Sequence, residues 1–126
     1  MDRSSLIAQL AFLKQELASN GESIEKLVAH FQAELDRDEV AYITENDRVV
    51  AFCDWSWIVE MSELPMVYEG KQTSGDILVV INIVSLRSGL VMELRHKLPP
   101  HRWIIGMHDG KLHAPKGVPH AQETVA

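Results

Sequence analysis

Four short stretches of this chain carry residue types that could do chemistry. Cys53-Asp54-Trp55-Ser56-Trp57 sets a thiol beside a carboxylate, Asn82 interrupts an apolar run, Arg87-Ser88-Gly89 offers a cation and a hydroxyl, and His96, His101, His108, His113 and His120 crowd the last third. A nucleophilic thiol needs a base, and no His adjoins Cys53 in sequence, so it reads as an inert core residue. Trp55 and Trp57 share a face if their segment is a strand, and read as core or interface residues before a substrate platform. Asn82 must find hydrogen bonds if buried, either as an amide bridging strands or as a working group. Arg87 and Ser88 at a helix start either grip a phosphate or simply cap and solvate the helix. Around an Asp109-Gly110 turn His108 would face Lys111, with His113 diagonal to it. No third ligand is set by spacing and no HExxH or CxxC is present, so no metal is expected.

The elements that must position these residues follow from periodicity. Leu6, Leu10, Leu13 and Leu17, with Ile7 and Ala11, mark one amphipathic helix, stopped by Asn20-Gly21. Ser23 is placed to cap a second, with Ile24, Leu27, Val28, Phe31 and Leu35 on its apolar stripe. The period then changes to two, over Val40 to Thr44 and Arg48 to Cys53 around a turn at Glu45-Asn46-Asp47, and Trp55 to Val59 extends the second strand. The segment 62–74, SELPMVYEGKQTS, predicts a long loop. DILVVINIVS is a continuous β-branched run, expected as a central strand buried on both faces. Ser85 or Ser88 begins a short helix carrying Leu90, Val91, Leu94 and Leu98, ended by Pro99-Pro100. A strand over 102–108 and a turn into Lys111-Leu112-His113 complete the order α-α-β-β-β-α-β-β. The strand-helix-strand step predicts parallel pairing.

At 126 residues, 46% hydrophobic and 24% charged, the chain reads as one α+β domain over residues 1–113 with a flexible tail, 114–126. A net charge of −6 argues against nucleic acid, which requires clustered Lys and Arg. Ile77 to Val84 is the longest apolar stretch, too short to span a bilayer, and the N-terminus lacks a signal peptide's apolar core, so a cytoplasmic protein is expected. The single cysteine excludes an internal disulfide.

Over Glu39 to Trp55, through Thr44, Asp47, Val50, Ala51, Cys53 and Trp55, the hairpin resembles the second and third strands of the Gcn5-related acyltransferase (GNAT) superfamily. The likeness is to its toxin-activating lysine acyltransferase branch and small phage relatives. It continues through Ser74-Gly75-Asp76, Ile81-Asn82-Ile83-Val84, the Leu-Pro closing the following helix and Asp109-Gly110-Lys111, covering roughly Leu17 to Lys116. The resemblance implies a GNAT-like mixed sheet with two N-terminal helices and one crossover helix. It also implies an acyl carrier, acyl-CoA or acyl-ACP, in a cleft between the strands at Ile77 to Val84 and Arg102 to His108, its pyrophosphate at Val84, Ser85, Arg87, Ser88 and Gly89. Val91 stands where the superfamily has a second small residue.

The resemblance implies a catalytic His near the start of the second helix and an Asp on the crossover strand, and the matching positions here are Ser19 and Asn82; the two are the implied catalytic positions, both substituted. Ser without a nearby base is a weak nucleophile, and Asn does not stabilise an imidazolium as a carboxylate does. His30 lies a helical turn or more away, while Glu60, Glu63 and His108 are candidate bases for direct transfer. The expected function is acyl transfer from CoA or ACP to an amine acceptor, with homodimer formation. The rival expectation is a catalytically inactive GNAT-like interaction module of phage or mobile-element origin, with Trp55, Trp57 and Tyr68 exposed as its interface.

Overall fold

Helix starts and stops along the first forty residues are set by local chemistry. In the computed structural model, which describes residues 1–18, 21–108 and 111–113 (107, 108 and 111–113 by backbone only), helix α1 runs Arg3–Ala18 and α2 runs Ile24–Arg37. The Ser23 Oγ accepts the Lys26 amide at 3.2 Å, as its position predicts, and satisfies one first-turn donor of α2. Asp38 closes α2 in the left-handed region at φ 56°, its amide donating to the carbonyls of Glu34 and Leu35. The apolar stripe of α1 buries Leu6, Ile7, Leu10, Ala11 and Leu13, whereas Leu17, expected on that stripe, is half exposed.

Two compact units make up the fold, with β2 and β3 each passing through both. The first comprises Met1–Asp54 and Asn82–Leu98. It holds α1, α2, strand β1 (Val40–Glu45), the start of β2 (Arg48–Ile58), the end of β3 (Ile77–Ser85) and α4 (Gly89–His96). Its core joins the α1 stripe to Leu27 and Phe31 of α2 and to Val40, Val49, Phe52 and Val84 of the strands. Phe31 meets Phe52 edge-on at 5.1 Å, the favoured arrangement of two ring quadrupoles, and ties α2 to β2.

The β1–β2 hairpin pairs Val40 with Asp54 and Glu45 with Arg48, with one irregularity between Ile43 and Thr44. Its turn is Asn46-Asp47, with φ of 52° and 60°, the mirror-image turn whose twist matches that of paired strands. Gln9 of α1 braces it: its Oε1 accepts the Val49 amide at 2.7 Å and its Nε2 donates to the Asp47 carbonyl at 3.1 Å. Asp at positive φ carries a Cβ penalty that Gly does not. Asp47→Gly is therefore expected to stabilise the protein by about 0.5–1 kcal/mol. A higher urea midpoint at unchanged slope is the reading that checks it.

The second unit takes Trp55–Ile81 and the chain from Pro99 onward. Here the expectation of a long loop over 62–74 is corrected: a 3₁₀ turn, Met61–Glu63, leads directly into helix α3, Leu64–Tyr68. Pro65 sits in the first helical turn, where its missing amide costs nothing, and Glu63 Oε2 accepts the amides of Val59 (2.6 Å) and Glu60 (2.8 Å). A proline inside a polar stretch thus starts a helix here, and Met61, Leu64 and Val67 pack with Ile58, Ile77, Val79 and Ile105. Glu63, a candidate base, is engaged in holding this turn.

The strand order is β1-β2-β3-β4-β5, with β4 at Trp103–His108 and β5 at Lys111–His113. The β3–β4 pair is parallel, as the crossover predicts, with Ile77 opposite Trp103 and Val80 opposite Gly106. β3 then runs on to Ser85 past its last pair with β4. Ile77, Leu78, Val79 and Val80 are buried as expected for a central strand, but the rest of β3 is not covered on both faces, and Ile83 is half exposed. β4 and β5 pair antiparallel. The Asp109-Gly110 turn and the tail 114–126 lie outside the described residues. Among the described residues no helix is long and apolar enough to cross a membrane.

Candidate functional site

The most unusual chemistry in the first unit is a buried polar cluster that no single stretch of sequence announces. Asp54 ends the part of β2 that faces α2, two residues beyond Phe52, and is completely buried. One helical turn separates His30 from Glu34 on α2, so both point the same way. The His30 Nε2 lies 3.1 Å from Asp54 Oδ2 and 3.2 Å from Glu34 Oε2. From β3, the Asn82 Nδ2 donates to Asp54 Oδ1 at 2.9 Å. Asp54 therefore holds an imidazole on one oxygen and an amide on the other. Glu34 is 1% exposed, and its Oε1 has no hydrogen-bond partner among the described residues.

The electrostatics follow from that packing. Hydrogen bonds to Asp54 and then to Glu34 raise the His30 pKa to about 9, against a smaller opposing effect of burial, so His30 is an imidazolium at neutral pH. Burial pushes the Glu34 carboxyl well above the usual carboxylate range. An imidazolium cannot accept a proton, so His30 is no general base at neutral pH. Cys53, next in the chain, points away from this cluster, since successive strand side chains alternate. Burial first, and the Asp54 charge second, push its thiol up to about 12. That fits the inert reading of this residue. In the native protein at pH 8, Cys53 is expected to react with a thiol reagent at least about 100-fold more slowly than in urea, measured by the rate of label incorporation.

Of the residues singled out in the sequence, the structure joins Asn82 to Asp54 and leaves the others apart from that cluster. Ser19 lies outside the described residues, as do the side chains of His108 and His113. Val84 is buried in the core with α1 and α2. Ser85 Oγ donates to the Arg87 carbonyl at 3.0 Å, closing the turn into α4. Ser88 occupies the N-cap position of α4 but its side chain makes no cap hydrogen bond; a Cβ on Gly89 would meet nothing within 4 Å. The Arg87 guanidinium pairs with the Glu45 carboxylate through both nitrogens, with the Nη1–Oε1 bond at 2.8 Å. That pairing holds the Glu45 carboxyl below its ordinary value. Trp55 is buried and Trp57 half-buried, which corrects the expectation that both are exposed; Tyr68 is exposed.

A cleft of about 510 Å³ opens beside this turn, between Phe12, Leu13 and Glu16 of α1, the Asn46-Asp47-Arg48 corner and Leu86. Phe12, Leu13, Val49, Val50 and Leu86 give it apolar lining, and Glu16, Asp47 and Arg48 charges of both signs. Sequence reasoning missed His30, Glu34 and Asp54 as a group. One signal was present: Glu34 lies three residues after Phe31 and seven after Leu27, on the stripe that α2 buries.

No protein-family model matches the chain, and no curated protein matches it. Among solved structures the chain is similar to the loading GNATL domain of CurA from Lyngbya majuscula, with a TM-score of 0.56 at 12% sequence identity. The likeness covers 82% of this chain and 58% of that one, so the chain spans less than two thirds of that structure's length. At that identity the likeness concerns the fold: this is a chain of the GNAT-like α+β fold.

Proposed function

We propose that the chain binds an acyl carrier, acyl-CoA or acyl-ACP, and transfers the acyl group to an amine. The observation that carries this reading is the end of the β3–β4 ladder: parallel pairing stops at Val80 and Gly106 while β3 runs on to Ser85 and into α4. A strand that leaves its partner and feeds a helix start presents backbone donors to an anion, and the helix dipole favours negative charge there. Arg87 and Ser88 supply the side chains of that turn and Gly89 leaves its backbone open, with Val84 and Ser85 leading into it. The fold neighbour, a loading domain of the GNAT-like type, supports the same class of activity.

In the transfer, the amine nitrogen attacks the thioester carbonyl, a C–N bond forms, the C–S bond breaks, and the carrier leaves as the thiol with the proton the amine gives up. Positioning supplies most of the rate in such a direct displacement. Asn82 serves as a positioning residue, since its amide is spent on Asp54, and Ser19 remains the other position that the family resemblance assigns. The finer likeness to toxin-activating lysine acyltransferases belongs to this proposal, as do a phage origin, a cytoplasmic location and a homodimer.

One observation favours the rival reading of an inactive interaction module: the cation of the turn, Arg87, is already paired with Glu45. Thermal melting with acetyl-CoA and a longer acyl-CoA separates the two. A carrier bound only by the native state stabilises it by about 2.7 kcal/mol at 100-fold excess over Kd. The expected result is a rise in Tm that Arg87→Ala with Ser88→Ala removes and Glu45→Gln enlarges by freeing Arg87. Unchanged melting with both carriers selects the interaction module.

A further inference from the structure

We propose that His30, Glu34 and Asp54 form a binding site for a divalent transition-metal cation, with Zn²⁺ the ion that the donor set fits first. The three ligand atoms all lie within 4.8 Å of one another. His30 Nε2 is 3.1 Å from the Asp54 oxygen and 3.2 Å from the Glu34 oxygen. Ligands at about 2.0 Å from a tetrahedral Zn²⁺ stand about 3.3 Å from each other, the spacing at which His30 stands from each carboxylate.

Three further observations point the same way. Two carboxyl side chains are buried here, Glu34 at 1% and Asp54 at 0% exposed, and a divalent cation would favour the ionised form of both with His30 neutral. The Glu34 Oε1, on the same carboxyl as the oxygen that faces His30, is buried without a hydrogen-bond partner among the described residues, and a metal or its bound water would supply one. Asn82 donates to Asp54 Oδ1 and leaves Oδ2 turned to His30, the outer contact that orients a carboxylate ligand.

The donor set also selects the ion. One nitrogen with carboxylate oxygens and no thiolate suits Zn²⁺ and neighbouring first-row metals; Ca²⁺ wants six to eight oxygens at longer distances. The His30 side chain is 34% exposed, which provides an entry path and an open position for water or an external ligand. The ligand set does not rest on the acyl-carrier reading, although Asn82 and its bond to Asp54 belong to both.

The test uses the full chain stripped with a chelator and titrated with ZnCl₂ by calorimetry and thermal melting, and with CoCl₂ by visible absorption. One equivalent of Zn²⁺, a raised Tm and a Co²⁺ spectrum of tetrahedral N/O type are expected. Glu34→Gln, nearly isosteric, and His30→Ala should both lose the ion; Asn82→Ala should weaken it about 10–100-fold. His113→Ala with His120→Ala should bind as the parent does. Absence of Zn²⁺ binding and of the Co²⁺ spectrum in the parent overturns the proposal whether or not the variants fold. Binding retained in Glu34→Gln, or lost with His113 and His120, places the ion elsewhere and overturns it equally.

Discussion

Asp54→Ala, with metal removed by chelator, is expected to destabilise the protein by about 3–5 kcal/mol, the cost of breaking a buried ion pair from one side. Asp54 is wholly buried and bonds both His30 and Asn82, so the truncation strands the Asn82 amide and leaves His30 only its contact with Glu34. Urea denaturation at pH 7 gives the loss directly. Replacing the whole cluster is a different experiment: His30→Met, Glu34→Leu and Asp54→Leu together leave no orphaned charge, and much of the lost stability should return.

The pH dependence of the chelated parent follows from the same contacts. The His30 pKa is raised from an ordinary value of 6.5 to about 9, by Asp54 first and Glu34 second. A group bound more tightly to its proton when folded contributes stability that is fully present below the unfolded value and is lost as pH rises through the folded one. Glu34, also raised, acts in the same sense. Stability should therefore fall as pH rises, from the ordinary carboxylate range upward for Glu34 and between about pH 6.5 and 9 for His30. The His30 part of the fall should flatten in Asp54→Asn, which removes its largest cause, whereas the Glu34 part, caused by burial, should remain. An equally steep fall in that variant would assign the effect to other groups.

Gly75→Ala is expected to cost about 2–4 kcal/mol although the residue is exposed. Its φ is 153°, and an added Cβ would collide with the carbonyl carbon and oxygen of Ile58. The obstacle is backbone at the end of β2, which cannot swing aside as a side-chain tip would. The chain must shift at Gly75 or β2 must give way, and either disturbs the packing of Ile58 with Ile77. Gly70 provides the control: it too has positive φ, 76°, but nothing lies within 4 Å of its added Cβ. Gly70→Ala should cost only the backbone term, about 1 kcal/mol, and comparable losses at the two positions would refute the steric account.

Much of the fold was legible in particular residues. Ser23 before an apolar stripe marked the start of α2, alternation on either side of Asn46-Asp47 marked the hairpin, and the apolar run at Ile77 followed by a helix and another strand required a parallel pair. Each depends on interactions within a few residues of chain, or on a connection whose handedness and direction are constrained by length. Pro65 was misread because a proline that breaks one helix begins another, and which it does depends on whether Leu64 and Val67 have a surface to bury.

The cluster at Asp54 was decided by tertiary structure alone. His30 is 24 residues before Asp54 and Asn82 is 28 after it. Their meeting depends on which face α2 lays on β2 and on the register that places Asp54 two residues beyond Phe52. Those are settled by close packing, such as Phe31 against Phe52, and close packing is a property of surfaces that the chain has only once it is folded.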